Sequence, residues 1–148
     1  MVDVHASAVC AASREQAFAY IADYRHVGTW LYGVKRFVPV GDLDYGLDSV
    51  FDAALTIGAP IKTRVKVVEF TEGEQFAFDS IKGFVCSSTW RFESVDATST
   101  RVSADISYTL PGGIASKALG KAIEPFVGIA VKHSVGALQR EIEATAGR

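Results

Sequence analysis

The sequence is poor in the residue types that announce a chemistry. Its 148 residues include 2 cysteines, 1 methionine, 4 prolines and 3 histidines. Cys10 and Cys86 are too few for a disulfide framework and lack the CxxC or Cys/His spacing of a zinc or redox site, so both read as reduced, buried thiols. His5, His26 and His133 form no HExxH or other ligand spacing, and GxGxxG, the P-loop pattern and GxSxG are all missing. Nucleotide binding, serine-hydrolase chemistry and zinc catalysis lose their sequence support, and neither a metal nor a cofactor is expected. Charge of one sign is also lacking. Fifteen Lys and Arg oppose 17 Asp and Glu for a net charge of -2, which leaves no field to draw in nucleic acid or an anionic membrane. No run of 18 apolar residues occurs, and Met1 to Ser13 carries no Lys or Arg. Neither a membrane span nor a signal peptide is therefore expected, and the default location is the cytoplasm.

What the chain does have is apolar mass. Hydrophobic residues make up 49% and charged ones 22%, with a mean hydropathy of +0.19, which excludes a disordered chain and leaves excess apolar surface to be placed. The length fits one domain spanning 1–148. No internal repeat, linker or low-complexity tract divides it.

Val2 to Val9 puts apolar residues at even positions and reads as a first strand with one buried face. Ser13 followed by Gln16 is a capping box, and Ala17, Phe18, Ile21 and Ala22 recur at helical spacing, so a short helix over about 14–22 comes next. Asp23 to Trp30 reads as a further helix-turn. From Val34 to Leu110 the period is two, punctuated at Pro39-Val40-Gly41, Asp44-Tyr45-Gly46, Gly58-Ala59-Pro60, Glu72-Gly73-Glu74, Lys82-Gly83 and Asp96-Ala97-Thr98. Six strands fit between those marks, most simply as an antiparallel meander. Lys62, Arg64 and Lys66 interleave with Ile61, Thr63, Val65 and Val67 and belong to a wet face, where Asp52 or Asp105 can pair with them. Glu69 falls in phase with Val65 and Val67, so it either finds a partner on that face or, the favoured case, sits at the sheet's edge facing water.

After Pro111-Gly112-Gly113 the period becomes 3.6 and holds to about Thr145. A wheel centred on Phe126 collects Leu119, Ala122, Ile123, Ala130, His133 and Ala137 on one face, with Lys117, Lys121, Lys132 and Gln139 opposite. Pro125 predicts a kink or a fresh start near Glu124.

These elements add up to an α+β plan: a curved antiparallel sheet of about seven strands wrapped around a long C-terminal helix, with short helices after the first strand. Such a sheet has more inner face than one helix covers, so either bulky side chains fill the gap or a cavity remains there for a small ligand. The opening strand, Ala22-Asp23-Tyr24 followed by Trp30 and Gly33-Val34, Val65 to Glu69, Thr89 to Glu93, Thr100-Arg101-Val102 and the Pro-bearing C-terminal helix together resemble the START-like (SRPBCC) helix-grip superfamily. More narrowly, the chain is similar to its polyketide cyclase/dehydrase and lipid transport group. The resemblance covers nearly the whole chain and implies a deep apolar pocket between sheet and helix, used in different members for sterols, lipids, quinones, hormones or polyketides.

The residues nominate the lining. Trp30, Phe76, Phe78, Trp90, Phe92 and Phe126 supply aromatic surface for a flat or greasy ligand. Tyr108 shares a dry strand face with Ile106 and Leu110, its hydroxyl pointing either to solvent or into the cavity. His133 is the one ionisable group on the inward helix face, either packed in the core or touching ligand. His26 reads as a surface residue near the pocket mouth. Gly112 and Gly113, with the Gly58-Ala59-Pro60 turn, are either a lid or ordinary tight turns. The expected partner is a hydrophobic small molecule such as a lipid or polyketide. The expected function is binding, with transport as its extension. The alternative is a cyclase or dehydratase using His133 and Tyr108 as acid/base groups, and a third reading is a protein-interaction domain whose cavity is filled by side chains.

Overall fold

The computed structural model describes residues 2–110 and 114–147, with the side chains of 114–116 excepted. The element order is β1 (Val2–Cys10), α1 (Arg14–Ala22), a 3-10 turn (Tyr24–His26), α2 (Val27–Trp30), β2 (Val34–Pro39), β3 (Val50–Thr56), β4 (Pro60–Thr71), β5 (Gln75–Gly83), β6 (Val85–Asp96), β7 (Ser99–Thr109) and α3 (Ile114–Ala146). The seven strands form one antiparallel sheet in the order β1-β7-β6-β5-β4-β3-β2. Strands β2 to β7 are thus a meander, and β1 closes onto β7 with Val2 opposite Tyr108 and Cys10 opposite Thr100.

Helix α1 begins where the sequence places it. Ser13 Oγ accepts from the Gln16 N–H at 3.2 Å, and the Gln16 side-chain oxygen accepts from the Ser13 N–H at 3.0 Å, so two of the helix's orphan donors are satisfied together. It ends at Asp23, whose carboxylate turns back to accept from the Arg25 N–H and caps the next turn. The buried side of α1 is Ala17, Phe18, Tyr20 and Ile21.

The sheet bends at register shifts between Val34 and Arg36, Arg64 and Val65, Val67 and Glu69, and Ser94 and Asp96. An extra residue in one strand increases local twist and re-aims the side chains beyond it. At the third shift Val67 pairs with Phe78 but Glu69 pairs with Ala77, so Val68 is the inserted residue. Glu69 accordingly leaves the dry face and lies exposed, accepting from Gln75 Nε2 at 3.3 Å, while Phe70 turns inward. On the outer face Arg64 grips Asp52 with two hydrogen bonds of 2.7 and 3.1 Å, and Lys66 lies 3.5 Å from Asp48. Asp105 is engaged elsewhere, by His5 and Arg91.

The helix α3 runs 33 residues and passes through Pro125 as one element, in place of the fresh start that proline suggested. Both Lys121 and Pro125 are exposed, which lets water take the carbonyl that the proline leaves without a donor. The wheel centred on Phe126 is out of phase by about one residue, or 100°. The face turned to the sheet holds Ile123, Val127, Ala130, Ser134, Ala137, Leu138 and Ile142, whereas Phe126 is 39% exposed and His133 lies outside the interior. The inward residues are mostly small, so the bulkiest side chain misled the centring. Near its C-terminus α3 is tied to β1, where Gln139 Nε2 donates to the Val9 carbonyl and Glu143 accepts from the Ala11 N–H at 2.8 Å. Among the described residues no helix is long and apolar enough to cross a membrane.

Candidate functional site

Between the concave sheet and α3 lies a cavity of about 300 Å3. Its roof is Ile123, Val127, Ala130, Val131, Ser134 and Val135 of α3; its floor is the inward row of β3 to β7; Trp30, Leu31 and Tyr32 wall one side. The volume sits at the lower end of the range for small-molecule sites. The reason it exists is visible in α3. Residues as small as Ala130 and Ser134 face a sheet whose bulges curve it away, and no element lies between.

At the α1 end the same space is closed. Phe18 stacks edge-on against Phe70, Phe76 and Phe92 at centroid distances of 5.5, 5.8 and 5.1 Å, and only 1% of it is exposed. Phe92, nominated as lining, shares the inward face of β6 with Trp90 but belongs to this packed cluster and does not border the cavity. Five of the nominated residues do border it: Trp30, Phe76, Phe78, Trp90 and Tyr108. Trp30 and Trp90 meet edge to face at 5.3 Å across the boundary between packed cluster and cavity.

The remaining two nominated residues have other tasks. Phe126 packs over the β3–β4 turn, where Gly58 adopts φ +70° and has no room for a side chain: a Cβ would strike the Ala122 carbonyl oxygen and the Phe126 ring. That backbone contact brings the turn onto α3, with Ile57 beside it lining the cavity. Gly112 and Gly113 lie outside the described residues. His133 packs against the Tyr32 ring at 5.4 Å on the outside of α3, while the neighbouring Ser134 points inward and accepts from the Tyr32 N–H at 2.9 Å. His26 stacks on Tyr20 at 4.1 Å and donates from Nδ1 to the Tyr20 carbonyl, at 2.9 Å. It too is absent from the lining.

Sequence reasoning missed most of the polar lining, which is short. It comprises Tyr24, Tyr32, Tyr45, Ser49, Thr63, Cys86, Ser87, Ser88, Tyr108 and Ser134, and among the described residues no Asp, Glu, Lys, Arg or His borders the cavity. Several of these groups are already committed. Thr63 donates to the Phe84 carbonyl at 2.8 Å, and Tyr45 donates to Glu72 at 3.0 Å. Burial and the Glu72 carboxylate push the Tyr45 phenol up to about 12. Burial likewise raises the Cys86 thiol above its ordinary value, so it stays protonated at neutral pH. Cys86 is half-buried at the cavity wall; Cys10 is the fully buried one. A period of two puts Cys86 and Ser88 on one strand face, but only the pairing of Cys86 with Tyr108 and Ser88 with Ile106 shows that this face is the cavity floor. The described residues include no cluster of three or more His, Cys, Asp or Glu that suits a metal.

This architecture is shared widely. A protein from Thermus thermophilus, TTHA0849, superposes with a TM-score of 0.80 at 19% identity, over 98% of this chain and 99% of that one. The Zhui aromatase/cyclase from Streptomyces sp. R1128 superposes with a TM-score of 0.81 at 13% identity, over 96% and 93% of the two chains. A START superfamily protein from Mycobacterium smegmatis gives 0.74 at 17% identity, over 97% and 98%. At these identities the likeness establishes the fold and nothing finer. No curated protein is detectably similar to the chain in sequence. The sequence profile of one family, described as polyketide cyclase / dehydrase and lipid transport, matches residues 1–143. That match over nearly the full length means that the chain belongs to the polyketide cyclase / dehydrase and lipid transport family.

Proposed function

We propose that the protein binds a hydrophobic small molecule between α3 and the sheet and carries it without chemical change. The observation that supports this reading most directly is the cavity itself, about 300 Å3 and lined mainly by aliphatic and aromatic side chains. Apolar surface held out of contact in this way represents unrealised burial, at roughly 25 cal/mol per Å2, which a greasy ligand recovers on entry. Among the described residues the lining offers hydroxyls, indole N–H groups and one thiol but no imidazole or carboxylate, the usual groups for proton transfer near neutral pH. The third reading, an interaction domain whose cavity is filled by side chains, draws no support from a cavity of about 300 Å3.

A cyclase or dehydratase acting on a poly-carbonyl compound in the same cavity is the second reading. It draws on the family name and on Tyr108, whose ring borders the cavity. With His133 on the outside of α3, Tyr108 would act without the imidazole that the sequence paired with it.

The two readings separate in one experiment. Protein purified without detergent is examined by native mass spectrometry and organic extraction, then incubated with a panel of lipids and aromatic polyketides. Binding predicts that a bound compound leaves the protein with its mass unchanged; loss of the mass of one water from a poly-carbonyl compound, abolished in Tyr108→Phe, supports the cyclase reading. No retained compound across the panel contradicts both.

A further inference from the structure

The cavity's lining indicates what kind of ligand it takes, an inference that rests on the binding reading proposed above. We infer that the site selects an uncharged molecule and meets its one acceptor, a carbonyl or hydroxyl oxygen, with the strip formed by Cys86, Ser88 and Tyr108.

The first half comes from charge. Every basic residue of β4 points away from the cavity: Arg64 and Lys66 are paired on the outer face with Asp52 and Asp48, and Lys62 is exposed between them and the turn. Glu72, the carboxylate that a lining side chain reaches, lies outside the lining and already accepts from Tyr45. The residues 111–116, whose side chains are not described, are Pro, Gly, Gly, Ile, Ala and Ser and bring no charge by their identity. A carboxylate, sulfonate or ammonium inside this wall would lose its hydration and meet no counter-charge, which is the costliest kind of burial.

The second half comes from which donors remain available on the strand floor, where hydroxyls gather, apart from the Nε1 of Trp30 on the wall, which is buried and without a partner among the described residues. Thr63 has given its proton to the Phe84 carbonyl, and Tyr45 has given its own to Glu72. Ser88 Oγ accepts from Trp90 Nε1 at 3.3 Å and keeps its own proton to donate. The Tyr108 hydroxyl has no hydrogen-bond partner among the described residues, and Cys86, whose protonated thiol lies 4.0 Å from Thr63 Oγ1 and is directed to it, is directly opposite Tyr108 in the ladder. Cys86 and Ser88 are two residues apart on β6 and so share a face with Tyr108. The strip therefore offers two neutral hydroxyl donors, Ser88 and Tyr108, beside the Cys86 sulfur, while the roof of α3 across from it is almost wholly aliphatic. A molecule with one oxygen-bearing edge and one hydrocarbon edge matches both walls, and an oxygen left facing the strip forms a hydrogen bond that a plain hydrocarbon forfeits.

The test uses probe pairs that differ in one feature. N-phenyl-1-naphthylamine and 8-anilinonaphthalene-1-sulfonate share a ring system and differ by the sulfonate. Fluorescence titration should give saturable one-to-one binding of the neutral probe, with the sulfonate displacing it about tenfold or more less effectively. Displacement by naphthalene and by 2-acetylnaphthalene then isolates the acceptor. The ketone should compete several-fold better, and that advantage should shrink in Tyr108→Phe and in Ser88→Ala, both checked for an unchanged circular dichroism spectrum. A sulfonate that displaces the neutral probe with an affinity within about threefold of the probe's own overturns the selectivity while leaving the binding reading intact. A ketone advantage that is missing, or that survives both substitutions, overturns the role of the strip. Failure of the neutral probe to bind at all refutes the binding reading, and this inference with it.

Discussion

The two ends of the sheet's concave face are built from the same kinds of strand yet hold opposite interiors. At one end Phe18 of α1 fills the space with rings of Phe70, Phe76 and Phe92 against it, and Ile142 of α3 is 1% exposed. At the other, beyond Trp90, α3 presents Ala130 and Ser134 and a cavity remains. What decides between a core and a pocket is therefore not the sheet but what stands opposite it. A short capped helix plugs one end, and small helix residues leave the other open.

The difference should show most sharply in the two thiols. Cys10 lies in the plugged end, 1% exposed, its thiol pushed up to about 11 by burial and by the Glu143 carboxylate; Cys86 lines the cavity. A small reagent such as iodoacetamide at pH 8 should modify Cys86 and leave Cys10 unmodified over the same interval, and a bound ligand should protect Cys86. Equal labelling of the two would erase the distinction.

Truncation should track the same division. Phe18→Ala removes a ring from a packed cluster and should cost about 3–5 kcal/mol, the range for aromatic truncation in a core. Val127→Ala widens a space that is already open and should cost about 1 kcal/mol, the loss of its own half-buried methyl groups. Urea denaturation of both variants measures the gap, and comparable costs would mean that the cavity closes in solution.

Gly58→Val lies between these in size. Its positive φ and the approach of the Ala122 carbonyl make any side chain there strained, at about 1–3 kcal/mol, and the turn must lift from α3 to accept it. A lower melting temperature together with faster ligand exchange is expected; an unaffected exchange rate would show that this contact is not on the ligand's route.

The weakest effect belongs to the outer face. Asp105 is held below the ordinary carboxylate range by hydrogen bonds from His5 and then Arg91, and Asp52 by Arg64. Because the folded state favours the charged form, their contribution is complete above the unfolded value of about 4 and is lost as pH falls through the lower folded values. Melting temperature should hold steady from pH 7 to about 5 and decline below about 4, with a shallow slope because these pairs are exposed. A decline beginning near pH 6 would implicate a histidine instead.

How much of this is legible in the sequence depends on the physics of each signal. The capping box at Ser13 and the period-two alternation are local, so α1 and the strand meander can be read directly. The bulge at Val68 cannot, because an inserted residue depends on the partner strand, and it moves Glu69 out and Phe70 in. The orientation of α3 is misjudged because Phe126 and His133, seven residues apart, lie together on one side of its true inward stripe and pull the wheel toward themselves: Phe126 finds a place over Gly58, and His133 finds one against Tyr32. Phe92 sits on the correct strand face, yet whether that face meets a cavity or Phe18 depends on a helix near the other end of the chain.

The central claim is that the space under α3 is a ligand site, and one titration tests it. N-phenyl-1-naphthylamine is titrated into the protein and into Val127→Trp, which places an indole inside the cavity, with both melting curves recorded. The account predicts saturable one-to-one binding to the native chain and a loss of about tenfold or more in the variant, with cooperative melting retained in both. Equal binding to the two proteins would place the probe elsewhere and contradict the account.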